Sequence, residues 1–193
     1  MRPFDDGEER MIICRAKQGD KRAYEDLIRR YQLPIYRLCF VMTGAPQSAD
    51  DLSQETFVKA FFALSGFEED RSFYSWVRRI AVNTALNYLK ARKREKPLNP
   101  DLAPAPNSFP SPGGDSPVDT LERKLITQKL RAALRTLPSD QRAIFILRVQ
   151  ENLSYRSIAD ILKIPPGTVM SRLNRARAKL RTQLAEFISR SGR

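Results

Sequence analysis

Three groups of residues in this chain have the types and spacing needed for chemistry, and each points to recognition rather than to bond making. Within residues 50–55, the carboxylates of Asp50, Asp51 and Glu55 crowd beside Gln54. On a helix Asp50 and Asp51 diverge, and no further ligand accompanies them, so they do not assemble a metal site or an acid–base pair. Carboxylates this dense repel DNA, which leaves a solvated face or a contact with another protein. In the second group, Phe73, Tyr74 and Trp76 precede Arg78, Arg79, Asn83, Asn87 and the run Lys90–Arg94. Aromatic rings beside amides and cations suit unpaired nucleic acid: bases stack on rings, amides bond exposed base edges, and cations hold the backbone. The alternative for the rings is the core, and Trp76, sharing a stripe with Ile80 and Thr84, fits that alternative best.

The third group lies between Ser154 and Leu180. Ile158, Ala159 and Leu162 form one apolar stripe, and Val169, Leu173, Ala176 and Leu180 form another, both at helical spacing. Ser154 can cap the first helix, Ile164-Pro165-Pro166 ends it, and a proline near the start of the next helix loses no needed N–H. With Val169 inward, Met170, Ser171, Asn174, Arg175 and Ala178 face outward, flanked by Arg172, Arg177 and Lys179. Outward polar groups can read base edges while the flanking cations sit near phosphates. From Pro165 to the end there are seven Lys or Arg against one acid, Glu186. A charge run alone is ordinarily a solvated face. Corner and wheel together read as a helix-turn-helix.

The elements that must position these groups are helical throughout. Helices are expected over Glu8–Lys17, from an Asp20 cap through Tyr24, Leu27 and Ile28, and after a start or kink at Pro34. A Ser48-capped helix should hold Leu52, Phe57, Ala60, Phe61 and Leu64, and a Ser72-capped one should run to about Arg94. Two further helices, near 118–135 and 139–149, precede the helix-turn-helix. No period-two pattern of useful length suggests a strand. The fold class is therefore all-α.

Charge divides the chain. Residues 44–70 carry Lys59 alone against six acids, and residues 71–96 carry eight cations against Glu95. Residues 97–121 lack Lys and Arg altogether but hold seven prolines, Gly113-Gly114, Asp101, Asp115 and Asp119. That composition cannot bury enough apolar surface to offset chain entropy, so a flexible acidic linker over 97–118 is expected between domains 1–96 and 119–193. The 193-residue chain has a net charge of +12, which favours a polyanionic partner, either nucleic acid or an acidic membrane surface. No long apolar run is present, and Asp5, Asp6, Glu8 and Glu9 stand where a signal peptide carries cations, so a soluble cytoplasmic protein is expected. There is no histidine, no glycine-rich phosphate loop, and only Cys14 and Cys39, both expected to be buried free thiols. These absences argue against an enzyme and against a metal or other cofactor.

Over 50–60 (DDLSQETFVKA), 73–89 (FYSWVRRIAVNTALNYL), and 153–159 (LSYRSIA) with 166–177 (PGTVMSRLNRAR), the chain resembles the extracytoplasmic function sigma factors of bacterial RNA polymerase. A helix-turn-helix by itself is widely shared, but three such blocks in this order are specific. The resemblance implies a region 2-like helical domain, a region 4-like helix-turn-helix domain, and a role in binding core polymerase and promoter DNA. It assigns core binding to Asp50, Asp51, Gln54 and Glu55. It assigns minus-10 recognition and base capture to Phe67, Arg71, Phe73, Tyr74, Asn83 and Asn87. Minus-35 recognition falls to Thr168, Met170, Ser171, Arg172, Asn174, Arg175, Arg177 and Lys179. It also implies an anti-sigma factor as a further partner, membrane-anchored in some members, no membrane insertion by this chain, no cofactor, and a linker that mimics nucleic acid. Two positions depart from the pattern: Lys163 stands at the corner where many members have Gly, and Met170 stands where relatives often carry Arg or Lys. A conventional helix-turn-helix regulator with a dimerising or ligand-sensing N-terminal half is the other reading that the residues leave open.

Overall fold

The computed structural model describes residues 6–68, 71–95 and 117–191. Among these the chain forms eight α-helices and one short 3-10 turn, with no strand: α1 (Asp6–Lys17), α2 (Lys21–Thr43), α3 (Pro46–Ala63), α4 (Phe73–Glu95), α5 (Pro117–Arg135), α6 (Ser139–Val149), α7 (Tyr155–Leu162) and α8 (Pro166–Ser191), the 3-10 turn being Leu64–Gly66. The chain divides into two compact units, Met1–Phe40 with Pro46–Asn87, and Val41–Ala45 with Tyr88–Arg193. The expected linker, apart from its last two residues, lies outside the described residues. Those two, Pro117 and Val118, open α5.

In the first unit two of the three expected caps are present. The Asp20 carboxylate accepts from the backbone N–H groups of Arg22 and Ala23 at 3.0 and 3.2 Å, satisfying donors that the first turn of α2 leaves open. The Ala23 N–H first, and then Arg15 at 2.6 Å, hold the Asp20 carboxyl below its usual pKa. Ser72 likewise caps α4 by accepting from the Ser75 N–H at 3.3 Å. Two expectations change. Of the start or kink expected at Pro34, the start does not occur: α2 runs through the proline, because Leu27, Ile35 and Leu38 bury one continuous face whose packing outweighs one lost backbone bond. Ser48 is not the cap of α3, which begins two residues earlier with Pro46 in the first turn, where its missing N–H has no partner to lose.

The core of this unit is aromatic at one end. After the 3-10 turn the chain extends at Phe67, which brings that ring to 5.7 Å from Phe73 and 5.1 Å from Trp76, with Phe73 and Trp76 themselves 5.5 Å apart. Tyr24 of α2 reaches α3, donating to the Phe57 carbonyl at 2.5 Å, and burial drives its pKa far above the usual tyrosine value. Cys39 is buried as expected, its thiol pushed up to about 12 by desolvation. Cys14 is exposed, contrary to expectation, because it falls on the face of α1 opposite Ile12, Ile13 and Ala16.

In the second unit α5, the turn that follows it and α8 share an apolar cluster of Ala133, Leu134, Leu137, Ala176 and Leu180. The interior continues through Ile144 and Leu147 of α6, Ile158 of α7, and Val169 and Leu173 of α8. The buried Arg142 guanidinium donates to the carbonyls of Arg135 and Leu137 at 3.0 and 3.2 Å, tying the end of α5 to α6. Desolvation, with Arg135 nearby, lowers its pKa to about 10, so the group remains charged at neutral pH.

Candidate protein-binding and nucleic-acid interfaces

Helical periodicity sorts α3 into two faces. Ala49, Leu52, Ser53, Thr56, Phe57 and Ala60 turn inward, and the Thr56 hydroxyl is satisfied by the Leu52 carbonyl at 2.6 Å. Asp50, Asp51, Gln54 and Glu55 are all exposed. Glu55 pairs with Lys59 at 2.6 Å, and Lys59 also donates to Thr84 of α4 at 3.3 Å, fixing that edge of the face. Asp50 lies close enough to Tyr36 to add to the desolvation that raises the tyrosine pKa. The same face continues into an apolar patch that the sequence reading missed: Val58 is 55% exposed, Phe61 44% and Phe62 80%. Phe61 packs edge-on to Tyr24 at 5.1 Å and to Phe62 at 5.8 Å, with much of its ring in solvent. The signal for this was three apolar residues at i, i+3 and i+4 out of phase with the buried stripe.

The residues assigned to the minus-10 element separate into two groups. Phe67 and Phe73 are 3% and 0% exposed, so both rings are packed within the core and neither presents an open face. Burying rings there is worth about 1.5–3 kcal/mol each, and their packing shapes the turn that precedes α4. Tyr74 is half-buried, stacked on Tyr31 at 5.8 Å with the Arg78 guanidinium 5.2 Å from its ring centre. Tyr31 in turn hydrogen-bonds Glu9, and burial first, then Glu9, raises its pKa to about 12. Arg71 is exposed and paired with Glu68 at 2.7 Å. Asn83 is half-buried and Asn87 exposed, and with exposed Arg79 and Lys90 they form one stripe along α4 at spacings of four, four and three. Trp76 is half-buried, as its stripe suggested.

The helix-turn-helix corner is built as its sequence implies. The Ser154 hydroxyl accepts from the Ser157 N–H at 3.0 Å, and the Ile164 N–H reaches the Ala159 carbonyl at 3.1 Å as the chain leaves α7. Lys163 takes the left-handed conformation at φ 53°, which Gly would adopt without its Cβ penalty. Pro166 opens α8, with the Thr168 and Val169 N–H groups bonded to the Pro165 carbonyl. Met170, Asn174, Arg175, Arg177 and Lys179 are exposed, and Thr168, Ser171 and Arg172 are half-buried. Arg172 is committed to Asp140 of α6 at 3.1 Å, and the Ser171 hydroxyl to the Thr168 carbonyl at 3.1 Å. Arg172 therefore braces α8 against α6 as much as it faces outward. Among the described residues no group of His, Cys, Asp and Glu could hold a metal ion, and no helix is long and apolar enough to cross a membrane.

One unit thus exposes an acidic and apolar helix face, and the other exposes a basic second helix of a helix-turn-helix. Comparison with known proteins makes the class specific. Residues 27–95 match the family described as Sigma-70 region 2, and residues 127–180 match Sigma-70, region 4. The chain is 37% identical over 174 residues to the RNA polymerase sigma-H factor of Pseudomonas aeruginosa, covering 88% of this chain and 90% of that one. It is 36% identical over 188 residues to the ECF RNA polymerase sigma-E factor of Escherichia coli K12, covering 94% and 97%. Its fold resembles CnrH, solved in complex with the cytosolic domain of CnrY, with a TM-score of 0.63, 24% identity, and 94% and 99% of the two chains covered. It also resembles RpoE, solved with the anti-sigma factor NepR from Bartonella quintana, with a TM-score of 0.64, 24% identity, and 84% and 96% covered. The chain belongs to the sigma-70 family, in its extracytoplasmic function group: it is a subunit of RNA polymerase that recognises promoters in transcription initiation.

Proposed function

We propose that this sigma factor divides its work between two surfaces, with α3 holding core polymerase and α4 and α8 holding promoter DNA. What carries this reading is the sorting of charge: Asp50, Asp51, Gln54 and Glu55 are exposed on a helix where DNA would be repelled, whereas α8 exposes Arg175, Arg177 and Lys179. Core polymerase meets the acidic residues and the adjoining Val58, Phe61 and Phe62, so the contact joins charge complementarity to apolar burial at one edge. Arg71, Tyr74, Asn83 and Asn87, with Arg79 and Lys90, face the minus-10 strand, and the buried Phe67 and Phe73 shape the segment that receives an unstacked base. Opening and flipping a base costs a few kcal/mol, which stacking and hydrogen bonds in a preformed site offset. The helix-turn-helix reads the minus-35 element, in the organisation of domains 1–96 and 119–193 about a linker. This chain performs no covalent step; the polymerase does. An anti-sigma factor, the kind of partner seen with the Bartonella quintana protein, is a further binder in this reading.

Run-off transcription with purified core polymerase tests the proposal. Adding the protein is expected to yield promoter-dependent transcripts from a genomic promoter library and a stable complex with core. If neither forms, the assignment of both surfaces fails.

A further inference from the structure

From the recognition helix we infer that Met170 and Asn174 read two A·T pairs of the minus-35 element, Asn174 through the adenine edge and Met170 through the thymine methyl group. This inference rests on the reading of α8 as the minus-35 reader and goes beyond it by naming the bases. Of the residues able to face a groove near the start of α8, several are already engaged: Arg172 pairs with Asp140, and the Ser171 hydroxyl bonds the Thr168 carbonyl. Met170 is 50% exposed although Val169, Leu173 and Ala176 beside it are fully buried, so the core does not need it. Asn174 is exposed four residues further on.

Positions i and i+4 lie on one stripe about 6 Å apart along the axis, which spans one to two base-pair steps of about 3.4 Å. Arg177 continues that stripe and is exposed. Running from the N-terminal end, the stripe is therefore apolar, then amide, then cation. The N-terminal residues of a recognition helix are those that reach base edges, so the thioether and the amide enter the major groove while Arg177 remains beside the backbone. In that groove the thymine C5-methyl is the apolar feature, and adenine alone offers the N6 donor and N7 acceptor together, which a carboxamide matches with two hydrogen bonds. A cation at 170 would select guanine through its O6 and N7 acceptors; a methionine cannot.

The test uses full-length protein with core polymerase and a promoter library randomised across the minus-35 element. Wild type is expected to enrich A·T pairs at two positions no more than two steps apart. Met170→Arg should change only one of them, toward G·C, and Asn174→Ala should abolish preference at the other, a loss of roughly 5- to 150-fold in discrimination. Replacing the selected thymine with deoxyuridine, which removes only the methyl group, should weaken wild-type complexes about fourfold and leave Met170→Ala complexes unaffected. Promoter-dependent transcription without enrichment at these positions, insensitivity of wild type to the methyl group, or loss of core binding on Met170→Ala would overturn the inference while the sigma assignment stood. No promoter-dependent transcript at all would overturn both.

Discussion

Replacing Phe73 with Ala distinguishes a ring that stacks on DNA from a ring that holds the domain together. Phe73 has no exposed surface and lies 5.5 Å from Tyr31, 5.7 Å from Phe67 and 5.5 Å from Trp76, so truncation opens a cavity bounded by three rings. Phe-to-Ala changes at such sites cost about 3–5 kcal/mol, a large share of the roughly 5–15 kcal/mol that holds a domain folded. For a unit of this size each kcal/mol corresponds to about 4–8 °C, so the transition should fall by roughly 12–40 °C. Phe73→Leu retains most of the volume and should cost only about 1–2 kcal/mol. Trp76 is the single tryptophan and packs on Phe73, so its fluorescence during urea unfolding reports this unit directly. The Leu variant, folded at 25 °C, should bind a single-stranded minus-10 oligonucleotide within about twofold of wild type, since no ring face is lost from the surface. A Phe73→Ala protein whose Trp76 transition is unmoved but whose oligonucleotide binding is lost would refute the packing assignment and restore the ring as a DNA contact.

Asp51→Lys reverses charge on the exposed face of α3 and should weaken core polymerase binding at least tenfold, measured by fluorescence anisotropy, with the far-UV circular dichroism unchanged. Arg175→Ala should reduce minus-35 selection in run-off assays while core affinity stays constant; equal loss of both would contradict the division of surfaces. Lys163→Gly relieves a left-handed non-glycine corner at φ 53° and should raise the stability of the second unit by about 0.5–1 kcal/mol in urea titrations. Asp20→Asn keeps a capping side chain but removes the charge that faces Arg15. Because folding lowers the Asp20 pKa, its contribution is fully present above the usual value of 3.8 and fades as pH falls below it. The urea midpoints of wild type and variant should therefore differ at pH 7 and draw together as the pH is lowered below 3.8; a difference that stays constant throughout the acid titration would locate the effect elsewhere.

Much of the fold could be read from local chemistry. Asp20, Ser72 and Ser154 cap the helices that they precede, Pro166 opens α8, and the stripe of Val169, Leu173, Ala176 and Leu180 faces inward, because caps and helical periodicity act within a few residues. Ser48 as a cap and Pro34 as a helix start misled for a related reason: a local signal for a helix boundary was overruled by an earlier start of α3 at Pro46 and by packing along the whole of α2. The acidic residues of α3 were placed outside correctly, since burying four polar groups without partners is costly.

Composition and spacing alone determined that this is an all-helical, histidine-free, basic chain with the motif blocks of a sigma factor, because those properties reside in residue identity and short-range periodicity. Tertiary structure decided which aromatic rings are available. Phe67 and Phe73 look as suitable for stacking on a base as Phe61 and Phe62 do for a core, yet the first pair is buried and the second faces solvent. It also decided that Arg172 is held by Asp140, thirty-two positions away in the chain. The physical reason is that exposure and pairing depend on which distant segments close over a side chain, and residue type together with local spacing carries no information about those segments.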